Sequence, residues 1–369
     1  MKVMTIVGTR PEIIRLSRII PLLDDTVDHK LVHTGQNYDY ELNEIFFEEL
    51  RIRKPDHFLG IQNTSFGRAI GETIIKTEEI LIKEKPDAVL ILGDTNSSLA
   101  AIVAKRLKIP IYHMEAGNRS FDWNVPEEIN RRIVDHIADF NLVYTERARQ
   151  HLLSEGLPHR KIYLTGSPLK EVLDYYLPAI KKSNILGSLK IKPKKYFLVS
   201  AHREENIDNP KIFKKLILLL NKLAIEYKLP IIFSTHPRTR IKLSKMKSLK
   251  LSSKVKLLKP FGFFDYCKLQ INALCVLSDS GSISEESAIL DFPAITIRNS
   301  MERPEAMDSG TIIITGFDYE IVKMSIHQVS KRNDHASVPY EYTIQNTAER
   351  VVNLVLGTTR LSKDWAGIK

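Results

Sequence analysis

The chain has 369 residues and a mass of 42.3 kDa, more than one ordinary hydrophobic core accommodates, so its length favours two domains. Its hydrophobic content of 43% is typical of a folded soluble protein, and its apolar runs fall well short of the roughly 18 residues that a membrane span needs. The net charge of +10 is unevenly spread: residues 181–260 hold 21 Lys/Arg against 4 Asp/Glu, a balance of +17, and the rest of the chain carries −7. These lysines alternate with apolar residues at helical spacing, which predicts solvated helix faces and no nucleic-acid partner.

The first residues and the cysteines narrow the class of protein further. Residues 3–7 form a short apolar run that predicts a first strand and is too short for the core of a signal peptide. Cys267 and Cys275 lack the spacing of a zinc site and predict reduced, packed thiols. We therefore expect a cytoplasmic protein without a metal site.

Apolar runs with strand character alternate with helical patterns along almost the whole chain. The predicted strands are residues 3–7, 30–34, 88–92, 109–114, 141–145 and 162–165, followed by 196–200, 230–234, 255–258, 275–277, 294–297 and 311–314. Helical patterns such as residues 11–23, 68–83 and 96–107 lie between them. Buried strands that alternate with helices indicate parallel sheets built from βαβ units.

The lysine-rich segment at residues 181–195 divides the predicted strands six and six. We therefore predict an α/β fold of two Rossmann-like domains, residues 1–180 and 181–369, each a parallel sheet with helices on both faces. Ligands of such sheets bind at the carboxyl ends of the strands, so two facing domains predict a binding cleft. The last helix, at residues 346–356, is a candidate to pack back on the first domain.

In the first half, polar residues follow the first and third predicted strands. Gly8 and Pro11 suit a tight turn into a helix, and Arg10 between them can reach a phosphate, although a capped turn with an exposed arginine is the alternative. Asp94 ends the third strand, where it is a candidate acid/base group or a simple helix cap.

Two further carboxylates follow the fourth predicted strand. Glu115 ends that strand and would be costly to bury unless it is paired or functional. Glu127 lies at the start of the next helix, where a carboxylate is structurally ordinary, and Arg131 follows on the same helix.

In the second half, His202 and Arg203 follow a strand and bring an imidazole and a guanidinium to the predicted cleft, and His236 and Arg238 end the next strand similarly. Carboxylates from one domain that face His and Arg from the other make a plausible acid/base site for an anionic substrate.

The turn Ser280-Gly281-Ser282 lies between an apolar strand and a helix that begins with Glu285 and Glu286. Backbone N–H groups at such a turn favour phosphate, and a carboxylate on the first helical turn can accept two hydroxyls of a ribose. Capping of its own helix is the local alternative for the same carboxylate. The G-x-G-x-x-G fingerprint is missing after every predicted strand, which disfavours a nicotinamide enzyme.

Together these segments resemble the non-hydrolysing UDP-N-acetylglucosamine 2-epimerases along nearly the whole chain and in the same order. The matching motifs are Gly8-Thr9-Arg10-Pro11-Glu12, Gly93-Asp94-Thr95, Glu115-Ala116-Gly117, Pro126-Glu127-Glu128-x-Asn130-Arg131, His202-Arg203-Glu204-Glu205-Asn206, Ser280-Gly281-x-x-x-Glu285-Glu286 and Glu302-Arg303-Pro304-Glu305. Each motif is short, but seven in register are highly specific.

The resemblance implies a GT-B fold, a UDP-sugar substrate in the cleft, no cofactor or metal, and a homodimer. It implies elimination of UDP to a 2-acetamidoglycal, followed by re-addition with the proton on the opposite face. The catalytic residues that it implies are Asp94, Glu115, Glu127 and His202. The UDP-sugar contacts that it implies are Arg10, Arg15, Arg131, Arg203, Ser280, Gly281, Ser282, Glu286 and Arg303.

The chain departs from the family pattern at several positions. Arg15 stands where many members carry Lys, and Ser282 where a second glycine is usual. Residues 36–40 lack two basic groups of the family pattern, which puts a regulatory second UDP-sugar site in doubt. The segment 118–124, with Phe121 and Trp123, is shorter than usual. These changes favour the branch of the family that epimerises UDP-2-acetamido-2,6-dideoxy-L-talose to UDP-N-acetyl-L-fucosamine for capsule or O-antigen synthesis. The epimerisation of UDP-GlcNAc itself is the second alternative.

Two enzyme classes stay open beside this one. A GT-B UDP-sugar glycosyltransferase would share the fold and the UDP-binding glutamate, but it has less use for three carboxylates on the first domain. The hydrolysing 2-epimerases, which release a free sugar, are closer relatives.

Overall fold

The computed structural model describes residues 1–35, 44–62, 64–235, 237–245, 250–331 and 338–367. Over these residues the strands are β1 (Lys2–Val7), β2 (Asp28–His33), β3 (His57–Phe58), β4 (Ala88–Leu92), β5 (Ile111–Ala116), β6 (Phe140–Val143), β7 (Ile162–Leu164), β8 (Phe197–Ser200), β9 (Ile231–Ser234), β10 (Val255–Leu258), β11 (Cys275–Ser278), β12 (Ala294–Thr296) and β13 (Ile313–Ile314).

The α-helices of the same residues are α1 (Arg10–Leu16), α2 (Ile19–Thr26), α3 (Glu44–Glu49), α4 (Phe66–Glu84), α5 (Ala100–Arg106), α6 (Pro126–Ile137), α7 (Glu146–Ser154), α8 (Leu169–Lys182), α9 (Ile185–Ser188), α10 (Glu204–Ile207), α11 (Pro210–Tyr227), α12 (Pro237–Lys245), α13 (Phe263–Asn272), α14 (Ile283–Leu290), α15 (Glu305–Asp308), α16 (Tyr319–Ser330), α17 (Thr347–Thr358) and α18 (Ser362–Trp365). None of these helices is long and apolar enough to span a bilayer.

The described strands form two parallel sheets, as the alternation of strands and helices predicts. One has the order β3-β2-β1-β4-β5-β6-β7 and the other the order β10-β9-β8-β11-β12-β13. All twelve predicted strands are present within a few residues. The sequence analysis missed β3, whose two residues pair with the end of β2 and are too few to display an alternating pattern.

Successive side chains of one strand enter hydrophobic clusters on opposite faces of the sheet. In β8, Val199 packs in a cluster with Leu216 of α11, whereas Leu198 packs in another cluster with Leu269 of α13. Since successive strand residues point to opposite faces, both faces of this sheet are covered by helices. The predicted α/β fold of parallel sheets with helices on both faces is confirmed.

The chain divides into two compact units, which are described separately. The first contains Met1–Asp174 together with Glu341–Lys369, and the second contains Tyr175–Tyr340. The point of division and the predicted boundary at residue 180 both fall inside α8. In the first unit α17 packs against α2, and the Tyr112 hydroxyl lies 2.6 Å from the Thr358 hydroxyl.

Each sheet reverses its strand order at one place. In the first unit β1 lies between β2 and β4, and in the second β8 lies between β9 and β11. At such a switch point, the loops that follow the two adjacent strands run to opposite faces of the sheet and leave a crevice at its carboxyl edge. Arg10 and Asp94 follow β1 and β4, and His202 and Ser280 follow β8 and β11. The fold therefore brings predicted site residues to the carboxyl edge of each sheet at its switch point.

Candidate functional site

Asp94 is held by the helix that follows the neighbouring strand. The Arg131 guanidinium on α6 pairs with the Asp94 carboxylate, with Nε 3.0 Å from Oδ2. Its NH1 group also donates to the buried Glu128, 2.9 Å away. The Asn130 amide donates to the Asp94 carbonyl at 2.9 Å, which fixes the backbone of the same turn. Arg131, predicted as a substrate contact, thus holds a candidate catalytic carboxylate in place.

Glu115 is the penultimate residue of β5, the next strand of the sheet, and has a left-handed backbone with φ of 66°. Such a backbone is unfavourable for a residue with a side chain and is typical of functional turns. Its side chain is mostly buried, and its carboxylate lies 3.5 Å from the Arg15 guanidinium. Arg15 is itself buried and lies over the Tyr144 ring at 5.5 Å. The sequence-based expectation that a buried Glu115 would be paired therefore agrees with this arrangement.

A second buried acid, which the sequence analysis missed, holds the turn after Glu115. The Asp135 carboxylate accepts the Gly117 N–H at 3.2 Å and lies 2.9 Å from the His113 imidazole and 2.7 Å from the Arg119 guanidinium. Burial acts to raise the pKa of Asp135, but His113 and Arg119 outweigh it and hold that pKa below its usual value. Asp135 is therefore a charged anchor for the Glu115 turn.

The remaining predicted residues of this unit lie on the first turns of two helices. Glu127 is half-buried on the first turn of α6, and Arg10 is half-buried at the start of α1, with its guanidinium 5.6 Å from the Phe46 ring centre. The described structure thus gathers Arg10, Asp94 and Glu115 at the ends of three neighbouring strands.

Glu12, in the motif that contains Arg10, is buried with an exposed fraction of 1%. Burial raises its pKa to about 7, against the opposing effect of four hydrogen bonds from Thr95, Gly8, Thr9 and Ser97. A carboxyl group of near-neutral pKa at the carboxyl edge of a parallel sheet is unusual, and the sequence analysis gave it no role.

In the second unit a fully buried carboxylate organises the turn that carries His202 and Arg203. Asp279, at the end of β11, accepts the backbone N–H groups of His202 and Arg203, each at 3.0 Å, and the Asn206 amide at 3.0 Å. Its other oxygen lies 3.4 Å from the His202 imidazole. The sequence analysis missed this role, because the position of an acid directly after a strand does not reveal which donors it will meet in the folded sheet.

The turn after β11 has a network of hydroxyl groups. The Ser280 and Ser282 hydroxyls lie 2.9 Å apart, and Ser282 donates to the Glu286 carboxylate at 2.7 Å. The Gln270 amide donates to the other Glu286 oxygen. Glu286 is half-buried, so its carboxylate is oriented while part of it stays accessible. Both contacts are with side chains, so they orient the carboxylate without capping a backbone N–H group of α14, and they are compatible with binding of a ribose.

Arginines of this unit are paired with internal glutamates next to Gly281. Arg203 and Arg298 donate to Glu302 at 3.1 and 2.7 Å, and a Cβ at Gly281 would lie 3.5 Å from the Glu302 carboxylate. Arg303 lies 3.2 Å from Glu285. The candidate phosphate contacts Arg203 and Arg303 are therefore held in place by acids, which keeps their guanidiniums ordered.

Several sequence predictions concern residues that the structure does not describe. His236, the side chain of Arg238 and residues 36–40 lie outside the described part of the chain. Within the described part, His, Cys, Asp and Glu side chains form no group of three that could hold a metal ion.

Comparison with known proteins identifies the family. A family model described as UDP-N-acetylglucosamine 2-epimerase matches residues 23–356. A UDP-N-acetylglucosamine 2-epimerase of Methanococcus maripaludis is 39% identical over 363 residues, which covers 96% of this chain and 98% of that protein.

Solved structures agree over the full length. A UDP-N-acetylglucosamine 2-epimerase from Rickettsia bellii has a TM-score of 0.94 and 48% identity and covers 100% of both chains. The Methanocaldococcus jannaschii UDP-GlcNAc 2-epimerase, solved in complex with UDP-GlcNAc and UDP, has a TM-score of 0.91 and 37% identity and covers 97% of this chain and 100% of that one. The chain therefore belongs to the UDP-N-acetylglucosamine 2-epimerase family and is an isomerase.

Proposed function

We propose that the chain epimerises a UDP-N-acetylhexosamine at C2 without hydrolysis, and that it interconverts UDP-GlcNAc and UDP-ManNAc. The observation that carries the proposal is the pair of strand-end carboxylates, Asp94 and Glu115, each held by an arginine at the carboxyl edge of one sheet. The relative from Methanocaldococcus jannaschii was solved with UDP-GlcNAc and UDP, which supports the same substrate class.

The proposed reaction is an elimination followed by an addition. One carboxylate removes the C2 proton, the C–H electron pair forms the C1–C2 double bond, and the C1–O pair leaves with UDP. UDP then adds back to C1 of the 2-acetamidoglycal while an acid delivers a proton to the opposite face of C2. Asp94, Glu115 and Glu127 are the candidate acids and bases, since general catalysis needs two positioned groups. The steps transfer no net electrons and need no redox cofactor.

The second unit supplies the groups that UDP requires. Departure of UDP needs positive charge and N–H donors around its diphosphate. Arg203 and Arg303 offer the charge, and the His202 imidazole and the turn of Ser280, Gly281 and Ser282 offer hydrogen-bond donors. The oriented carboxylate of Glu286 is the candidate acceptor for the ribose hydroxyls.

UDP-2-acetamido-2,6-dideoxy-L-talose is the second candidate substrate. Its support is the altered segment 118–124, in which Phe121 and Trp123 are 68% and 67% exposed and offer an apolar surface for a 6-deoxy methyl group. The Arg132 guanidinium lies 5.9 and 5.1 Å from these two rings, so they already serve as its packing partners. The names of the relatives favour UDP-GlcNAc, and kcat/KM measured side by side for both nucleotides decides between the two.

Incubation of the purified chain with UDP-GlcNAc and no acceptor tests the proposed function. Proton and phosphorus NMR should record UDP-ManNAc at equilibrium with UDP-GlcNAc and no free sugar. A glycosyltransferase would leave the nucleotide sugar unchanged without an acceptor, and a hydrolysing epimerase would release UDP and a free sugar. Either result would overturn the proposal.

We extend the proposal to two properties that the family resemblance implies. The product would enter the synthesis of cell-surface polysaccharide precursors. The active species would be a homodimer, so light scattering should give twice the chain mass of 42.3 kDa.

A further inference from the structure

Glu12 is a buried acid that the proposed chemistry leaves unused. It lies on the first turn of α1, two residues after Arg10, and its side chain is almost inaccessible to water. Burial of a carboxyl group is costly unless hydrogen bonds compensate for the lost hydration. The position of those hydrogen bonds therefore indicates what this residue does.

The Glu12 carboxylate joins two strand ends. Oε1 accepts the Thr9 hydroxyl at 2.9 Å and the Thr95 hydroxyl at 2.7 Å. Oε2 accepts the Gly8 N–H at 2.6 Å and the Ser97 hydroxyl at 3.1 Å. Each oxygen thus receives one donor from the turn after β1 and one from the turn after β4.

Two of these contacts have a purely local explanation. Thr9 and Glu12 stand three residues apart at the start of α1, the spacing of a capping box, in which a glutamate reaches back to the residue that begins its helix. Here Glu12 reaches back in a similar way to the Thr9 hydroxyl and the Gly8 N–H. Thr95 and Ser97 do not belong to that motif, because they follow a different strand more than eighty residues later. Capping of α1 therefore does not explain why the carboxylate contacts the β4 turn.

Close packing at this place leaves the two turns little freedom. A Cβ at Gly8 would lie 2.5 Å from the Thr34 hydroxyl and 2.8 Å from Cβ of Ser97, so Gly8 permits an approach that other residues would block. Thr9 precedes Arg10, and Thr95 follows Asp94. A carboxylate that fixes Thr9 and Thr95 therefore fixes the backbone beside a candidate phosphate contact and a candidate acid/base group.

We propose that Glu12 is a positioning residue for the epimerisation: it holds the Asp94 turn against the Arg10 turn and thereby fixes where the Asp94 carboxylate stands. Arg131 and Asn130 hold Asp94 from α6, and Glu12 supplies the restraint from the β1 side. This inference rests on the proposed function. The near-neutral pKa of Glu12 agrees with a carboxyl group that stays buried, despite the cost, because its hydrogen bonds fix the geometry of the two turns.

A double-mutant cycle with Asp94 tests the role. Glu12→Gln keeps the shape of the side chain but replaces one acceptor oxygen with a donor. We expect it to lower kcat about tenfold or more while the KM for UDP-GlcNAc changes less. In an Asp94→Asn background the same substitution should lower kcat less than about twofold, because a residue that acts through Asp94 has nothing left to position.

The matched control is Asp139→Asn. Asp139 accepts the Ile111 N–H at 3.1 Å and the Lys105 ammonium at 2.6 Å at the amino edge of the same sheet. This substitution also removes an acceptor that joins two strands, but at the edge opposite to the candidate site. We expect Asp139→Asn to change kcat less than about twofold. In the double variant, the fold-changes in kcat caused by Asp139→Asn and by Asp94→Asn should simply multiply.

Thr95→Val and Thr95→Ser keep the proposal testable if Glu12→Gln fails to fold. Valine removes the hydroxyl group at nearly constant volume, and with it the contacts to Glu12 and to the Ser97 hydroxyl, whereas serine retains the hydroxyl. We expect valine to lower kcat several-fold and serine to retain most of it.

The outcomes separate this role from the proposed function. Wild-type turnover combined with a Glu12→Gln kcat within about twofold of wild type would overturn the positioning role alone. The same conclusion follows if the losses of Glu12→Gln and Asp94→Asn simply multiply, or if Thr95→Val and Thr95→Ser behave alike. A wild-type chain that turns over no UDP-N-acetylhexosamine would overturn the proposed function and this inference with it.

Discussion

Asp94, just after β4, and Arg131, on α6 after the neighbouring strand β5, form an ion pair, with the guanidinium Nε 3.0 Å from the carboxylate. Arg131 also binds Glu128 three residues earlier on its own helix, so its guanidinium is fixed at two points. A guanidinium that is buried and doubly paired holds its partner at one orientation. The pair therefore places a candidate catalytic carboxylate without occupying all of its acceptor positions.

Neutralisation of each candidate carboxylate should abolish most of the activity. We expect Asp94→Asn, Glu115→Gln and Glu127→Gln each to lower kcat by about two to four orders of magnitude, the usual contribution of general acid–base catalysis. Steady-state kinetics with UDP-GlcNAc measures this, and circular dichroism checks the fold. Near-normal rates for all three variants would move the active site elsewhere, and loss of folding would favour a purely structural capping role.

The charge of Arg15 should be needed for the function of Glu115. Arg15→Lys retains a cation near the carboxylate, whereas Arg15→Met removes the cation that lies 3.5 Å away and leaves the buried carboxylate less stabilised. We expect Arg15→Met to lower kcat/KM for UDP-GlcNAc by roughly tenfold or more, because it leaves a buried carboxylate without its paired cation, with a smaller loss for Arg15→Lys. Steady-state kinetics of both variants measures this, and equal kcat/KM values for Arg15→Met and Arg15→Lys would contradict a role for this charge.

Glu12 should make the stability of the chain depend on pH. Its pKa is raised from 4.5 to about 7 in the folded state, so between these values the folded chain binds more protons than the unfolded chain. The free energy of unfolding therefore falls as the pH rises through this window. Relative to Glu12→Gln, the wild type should lose on the order of 2–3 kcal/mol between about pH 5 and about pH 8, as one pKa unit corresponds to about 1.4 kcal/mol. Urea unfolding of both proteins measures the difference, and a constant difference would contradict the assigned burial.

His202 and Arg10 should contribute more to binding than to chemistry. We expect His202→Ala and Arg10→Ala to weaken the affinity for UDP by roughly tenfold or more, because both lose a positively charged or hydrogen-bonding contact with a diphosphate. Titration calorimetry with UDP measures the affinity. His327→Ala, on the exposed face of α16, is the control and should bind UDP as the wild type does. Unchanged affinity in both test variants would remove these residues from the proposed UDP site.

The strands and their ends could be predicted from the sequence because buried parallel strands are short apolar runs followed by polar turns. This pattern placed Asp94, Glu115 and His202 at strand ends, and the structure puts them there. The anchoring roles of Asp135 and Asp279 could not be predicted in this way. Their donors, such as the Arg203 N–H that Asp279 accepts, lie on other strand-end turns and become neighbours only when the sheet forms.

Solvent exchange at C2 tests the central claim most directly. We predict that UDP-GlcNAc turned over in deuterated water gains deuterium at C2 in product and in recovered substrate alike, because removal and return of that proton is the proposed reaction. Proton NMR and mass spectrometry of both nucleotide sugars measure the label, and Glu115→Gln should suppress it in parallel with turnover. Formation of UDP-ManNAc with an unlabelled C2 would contradict the elimination mechanism for this protein.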